Sequence, residues 1–465
     1  MRSDQDNTGD RGDRSKRVRR RAYLQAIAVT GITGLAGCTT ENSFTSTTPG
    51  NPCVEALSSP PDPSDSPGEP GSIAWETALS PVVAPVTPLD ETRVLVTTGD
   101  GVLAALSRET GDIVWETDLG GSVGAPLVEG NTIVVRRIEE NDVNYEESQV
   151  TLHGVDAETG EEQWTALTMT AGYAGGFYPI TTTQEFVLVR EAIDVLPNVQ
   201  PMHAVSLADG TTQWTVDVGT HRGTYVRNET IYYAGHNGVT AFEFDGSRRW
   251  EWSPDASDRD VGETTLVCDH VVIQTGHLHE SGSEILHAVD VETGEGQWMF
   301  EGMYGSERGF GELYGYRGRL LALAEKQAQL NPTNGEPVWI RGTPVVNSLI
   351  GYGMLFGMKY EDRTIIARAI PDGTTVWEQQ VDGNVRMLGV VNGQLLIYRP
   401  LNESFDGSSY IGALDAATGE QLWTLDAEHE FWGHGAMIGS GRVYVPDRTE
   451  AEQDENRDIL RSVTV

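Results

Sequence analysis

Apolar and polar positions along this chain alternate with the period of a β-strand, in short runs separated by glycine-containing turns. In the first full unit, Pro81–Pro88 reads as an innermost strand, Arg93–Thr98 as a second, Gly101–Ser107 as a third and Ile113–Thr117 as a fourth. Glu109-Thr110-Gly111-Asp112 turns the chain between the last two. The Gly supplies a positive φ, and the polar residues ahead of it can bond the turn backbone.

This four-strand pattern recurs with one phrase, loosely apolar-Asp/Ser-x-x-Thr-Gly-x-x-apolar-Trp. Its clearest copies are Val155–Gly160 ending at Trp164, Val289–Gly294 ending at Trp298 and Leu414–Gly419 ending at Trp423. Looser copies keep the Gly, as in Asp209-Gly210 before Trp214, Asp245-Gly246 before Trp250, Asn334-Gly335 before Trp339 and Asp372-Gly373 before Trp377. With Trp75 and Trp115 the motif-ending tryptophans number nine, spaced by 36 to 50 residues. That is the length of a four-stranded antiparallel sheet with its turns, and such a period predicts an all-β fold, a single β-propeller. Each Trp offers a large ring for packing between neighbouring blades.

Trp75 has only a Pro/Ser stretch before it, whereas Phe431–Val465 supplies about three strands and no closing Trp. Both defects are met if Ser72–Thr77 completes the last sheet and closes the ring, which removes exposed edges. Eight blades with one irregular unit is the expectation, with nine as the alternative.

The phrase and its spacing resemble the PQQ-like β-propeller repeat family, which includes BamB-like exported assembly lipoproteins and quinoprotein alcohol dehydrogenases. The resemblance covers roughly Ser72–Val465. It implies the fold; propellers host unrelated sites, so it implies much less about activity. The dehydrogenases of the family use an adjacent cysteine pair beside their quinone, and no Cys-Cys occurs here. PQQ is therefore not expected to bind, nor is any other cofactor.

The N-terminus changes the picture from fold to address. Arg14–Arg21 is basic, Arg20-Arg21-Ala22-Tyr23-Leu24 resembles a twin-arginine export signal, and the apolar run Ala22–Gly37 is too short for a comfortable membrane span. It ends at Leu35-Ala36-Gly37-Cys38, which resembles a lipobox. Residues 1–37 then form a lipoprotein signal peptide, and Cys38 becomes the lipid-bearing first residue of the mature chain. Residues 38–71 are a disordered Ser/Thr/Pro linker, and 72–465 the propeller. The expected place is the outer face of the cytoplasmic membrane. Cys53 lies in the linker and Cys268 in an expected strand; a disulfide between them is open, and no wider disulfide framework exists.

Charge narrows the partners. The whole chain carries 69 acidic against 32 basic residues, a formal net charge of −37. Its lysines are Lys16, Lys326 and Lys359 alone. An acidic, Lys-poor chain fits solubility in molar salt, where the Debye length falls to about 3 Å, and so a haloarchaeal envelope protein. Nucleic acid is disfavoured as a ligand, because phosphate binding needs a basic surface.

Candidate chemistry is sparse. No nucleophile elbow, phosphate-cradling glycine loop or His-Glu-x-x-His occurs, so catalytic residues are not assigned. His277 and His279 alternate on one side of an extended segment and are metal candidates, although a solvated loop is the simpler account of them. The segment Ala171–Tyr178, with Tyr173, Phe177 and Tyr178, is a candidate for stacking on a sugar or peptide. Asn228 and Asn402 head glycosylation sequons. In a propeller the turns between third and fourth strands lie on one face, and the loops between second and third strands on the other. Five of the latter are long, at Arg136–Gln149, Arg190–Pro201, Gln274–Glu284, Arg399–Ser409 and Pro446–Asp458. Loops on rigid scaffolds carry binding. The expected function is a lipid-anchored scaffold for another envelope or secreted protein, the alternatives being an exported or quinone-dependent enzyme and a solute or glycan receptor.

Overall fold

The structure is a computed structural model that describes residues 69–139, 148–171, 176–192, 199–254, 260–276, 283–304, 311–323, 326–342, 345–359, 363–383, 385–399, 409–426, 430–431, 437–439, 441–448 and 458–465. The strands form nine antiparallel sheets, seven of four strands and two in which the innermost strand is split. Blade 1 runs from Thr87 to Asp118, and blades 2 to 8 end at Ala171, Val218, Trp252, Tyr304, Arg341, Gln380 and Asp426. Blade 9 combines Arg442–Arg448 and Asp458–Thr464 with Ile73–Leu79 from the other end of the chain, paired from Ile73↔Val463 to Leu79↔Asp458. The expected closure near Trp75 is thus present.

The number of blades corrects the expected eight to nine. Every motif-ending Trp closes its own four-stranded sheet, so no unit is irregular enough to drop out. The uneven spacing comes instead from loop length. Blade 4, the shortest unit, turns from Arg227 to Thr230 and from Gly235 to Gly238 with two residues between each paired end. Blade 2 is long because residues 140–147 intervene between its second and third strands.

Nine hydrophobic clusters sit between successive sheets. One joins Val134 and Leu152 of blade 2 to Phe177, Val187 and Val205 of blade 3, and another joins Tyr444 and Leu460 of blade 9 to Val94 and Val96 of blade 1. Each cluster holds or abuts a motif Trp. Burial of about 150–250 Å² per indole gives roughly 4–6 kcal/mol of transfer free energy at each interface. The Nε1–H groups of Trp75, Trp115, Trp164, Trp214, Trp250, Trp298, Trp339 and Trp377 donate to backbone carbonyls of the next blade, at Arg108, Ala157, Leu207, Phe244, Val291, Pro332, Ile370 and Ala416. Trp423 donates instead to Gln394 Oε1 within its own blade, at 2.7 Å.

These carbonyls belong to the turns that the repeat phrase encodes. In blade 2, Asp156 Oδ1 accepts from the backbone of Glu158 and Thr159 and from the Thr159 hydroxyl, and Gly160 N–H donates to the Asp156 carbonyl at 2.9 Å. The backbone N–H of Thr159 is the main reason that the Asp156 carboxyl lies below its ordinary value. Gly160 has φ of 77°, and a Cβ there would lie 2.5 Å from the Trp115 ring. The phrase therefore codes for an interlock: the Asp shapes a turn whose Gly seats the indole of the blade before it.

Cys268 occupies the Val267–His270 turn with φ of 53°, rather than a strand, and is disulfide-bonded. Cys38 and Cys53 lie outside the described residues.

Candidate functional site

The first-to-second and third-to-fourth turns share one face of the ring. Much of that face is committed to the Gly–Trp interlock. The second-to-third loops and the crossovers between blades share the other. The long loops expected there fall largely outside the described residues, but their bases are described, and one base gathers unusual chemistry.

Tyr178 lies on the innermost strand of blade 3, paired with Arg190 on the second strand. The Arg136 guanidinium, from the second strand of blade 2, sits 4.3 Å from the Tyr178 ring centroid, and that of Arg190 sits 5.2 Å from it. Two cations thus stack on one aromatic ring. Strand alternation explains the choice of side chains. Arg137 turns to the other face of its sheet, where its Nε donates to Gly120 and Nη2 pairs with Glu139 at 3.1 Å. Glu191 likewise turns away from Arg190 and meets His203 at 3.3 Å. Arg190 Nη1 donates to the buried Gln200 Oε1 at 3.2 Å. The buried Nε–H groups of Arg136 and Arg190 find no acceptor among the described residues.

His221 and Arg222 follow on the innermost strand of blade 4. Burial, reinforced by Arg190 and Arg222, pushes the His221 pKa down to about 4, so the ring is neutral at physiological pH. Its Nε2 meets the Thr224 hydroxyl at 3.0 Å and its ring lies 5.5 Å from Tyr233. Further round, Glu263 and Glu312 occupy the innermost strands of blades 5 and 6. Burial raises both carboxyls above their ordinary values; Glu312 pushes Glu263 further up, while Arg222 offsets part of that shift. The neighbouring Ser348 and Tyr314 offset part of the Glu312 shift, and the Tyr314 hydroxyl donates to the Ser348 carbonyl at 3.5 Å.

Of the residues singled out in the sequence, Tyr178 stands in this cluster. Phe177 points the other way, is buried between blades 2 and 3 and packs edge-on to His203 at 6.0 Å, a core contact and not a stacking platform. Asn228 sits exposed on the Arg227–Thr230 turn with φ of 49°. Tyr173, His277, His279, Asn402 and Cys38 lie outside the described residues. His287, next to the histidine pair in sequence, is hydrogen-bonded to Thr275 at 2.9 Å and packed on Trp252. Among the described residues no group of three His, Cys, Asp or Glu is placed to hold a metal.

Sequence reasoning missed Arg136, Arg190, Glu263 and Glu312. The arginines carried a signal: in a chain almost without lysine, an apolar run ends in Arg at the base of three long loops, at Arg136, Arg190 and Arg399. Arg399 repeats the motif, with its guanidinium 4.7 Å from the Tyr410 ring.

A family model described as outer membrane protein assembly factor BamB matches residues 67–298 and 199–341. The chain belongs to this family. Solved structures similar to this family member include BamB from Moraxella catarrhalis, at 12% identity and a TM-score of 0.46, covering 84% of this chain and 98% of that one. The computationally designed Ika8 protein matches at 10% identity and a TM-score of 0.49, covering 85% and 100%. The quinohemoprotein alcohol dehydrogenase from Comamonas testosteroni matches at 12% identity and a TM-score of 0.46, covering 84% and 76%. No curated protein matches the chain.

Proposed function

We propose that the chain is an exported, lipid-anchored scaffold that holds a protein partner on the propeller face bearing the long loops. The observation that carries this reading is the asymmetry of the two faces. One is largely occupied by interlocking turns; the other collects the inserted loops and the Arg136–Tyr178–Arg190 cluster at the base of two of them. Membership of a family named for an assembly factor supports partner binding as the common role. Assembly of an outer membrane itself is not part of the proposal. The lipobox ending at Cys38 and the Ser/Thr/Pro stretch after it support a tether of some thirty residues between membrane and ring.

The test is a crosslinked pull-down of the tagged chain from its own membranes in its native salt. The expected result is a defined envelope or secreted partner that is lost when residues 140–147 and 193–198 are replaced by short Gly-containing turns, while Cys38→Ser releases the protein from the membrane. A partner recovered equally well without those loops, or none at good yield of folded protein, overturns the reading.

A further inference from the structure

We propose that Arg136 and Arg190, held on the Tyr178 ring, bind a single carboxylate presented by an otherwise uncharged peptide segment of a partner protein. The inference rests on the scaffold reading and names the chemistry its face recognises.

Stacking engages the face of a guanidinium ion and leaves its in-plane N–H donors free for a planar acceptor. Tyr178 takes the stacking contacts of two guanidiniums, at 4.3 and 5.2 Å. Arg136 makes no hydrogen bond to a described residue, and Arg190 makes one, to Gln200. Neither has a carboxylate partner among the described residues, although the chain holds 69 acidic side chains. The nearest acids in sequence are taken: Glu139 by Arg137 and Glu191 by His203. Two cations gathered on one ring repel each other, and a carboxylate that accepts charge-assisted hydrogen bonds from their free N–H groups relieves that repulsion.

The charge of the whole chain selects the size of the anion. A net charge of −37 repels a polyanion such as a nucleic acid or a phosphate-rich surface. A lone carboxylate on a neutral segment brings one charge and responds mainly to the local field, which is positive. Arg222 lies beside the cluster, and the neutral His221 imidazole adds no charge that changes with pH in the neutral range. The Tyr178 ring favours an apolar residue next to that carboxylate.

The experiment uses the folded chain and the probe N-acetyl-Ala-Ala-Phe, with a free C-terminal carboxylate or as its amide, in a calorimetric titration. The free acid is expected to bind, and the amide about tenfold more weakly or worse. Arg136→Gln and Arg190→Gln are each expected to weaken the acid about tenfold and leave the amide unchanged, and Tyr178→Phe to preserve binding. Equal binding of acid and amide, or no binding of either to the wild-type chain, overturns the proposal without reference to any variant. A polyphosphate that binds more tightly than the peptide overturns the single-carboxylate assignment. A pull-down partner that is insensitive to both arginine variants removes this site alone; peptide binding without a partner removes the scaffold reading alone.

Discussion

Gly71 lies against the indole of Trp423, so close that a Cβ would stand 2.9 Å from its ring. The same relationship joins the turn glycine of every other blade to the Trp before it, as Gly160 to Trp115 and Gly419 to Trp377. In each case the next Trp follows the Gly by four residues, and Gly71 precedes Trp75 by the same four. The closing blade has no continuous turn at this point, so Gly71 bonds Thr464 across the seam at 2.8 Å and supplies the missing seat.

Gly71→Val is therefore expected to destabilise the ring by about 2–3 kcal/mol, from a positive φ of 76° together with the indole clash. Denaturant unfolding checks it. A shift below about 0.5 kcal/mol would show that the seam does not limit stability.

The same blade carries a buried ion pair. Asp447 is fully buried, with Arg461 Nη1 2.6 Å away, and Arg461 Nε also reaches Glu76 on the strand from the other end of the chain at 2.7 Å. Arg461→Leu is expected to cost up to about 3–5 kcal/mol by removing this cation from the buried Asp447 charge. Adding Asp447→Asn is expected to recover part of the loss, as read by the melting temperature of the double variant.

Glu263 and Glu312 give a pH dependence of definite sign. Their carboxyls are raised by burial in the folded state, so the native chain binds more protons than the unfolded chain above the ordinary carboxylate pKa. Their contribution to stability falls as pH rises through that range and above it. Asp156, lowered by its turn hydrogen bonds, acts in the opposite direction and loses stability as pH falls. Glu263→Gln is thus expected to stabilise the chain at neutral pH and to change little at pH 4, which paired thermal melts at the two values would decide.

His221 offers a spectroscopic check. With a pKa pushed down to about 4, its ring is expected to remain neutral from pH 8 to pH 5 in a two-dimensional NMR titration. Because the folded value lies below the unfolded one, acidification through the range between them destabilises the fold. Arg190→Gln removes one of the two cations that depress this pKa and is expected to raise it; an unchanged titration would leave burial and Arg222 as its causes.

Much of this architecture was legible in the sequence. The turn phrase encodes its own hydrogen bonds, as Asp156 with Thr159 and Gly160 shows, and strand alternation is equally local. Hence the sheets and the role of the tryptophans follow from residues near one another in the chain, and the closure by Ile73–Leu79 was suggested by the strand missing at each end. The number of blades does not, because it depends on whether all nine units find room in one ring, and the ring closes only through a pairing such as Leu79 with Asp458. Nor does the candidate site. Arg136 and Tyr178 are 42 residues apart and come from two blades; alternation says which face of its own sheet each takes, but only the packing of blade 2 on blade 3 brings the guanidinium over the ring. The like-charge influence of Glu312 on Glu263 across two innermost strands has the same origin. Local chemistry wrote the blades, and the contacts between blades, made only in the closed ring, decided where charge gathers.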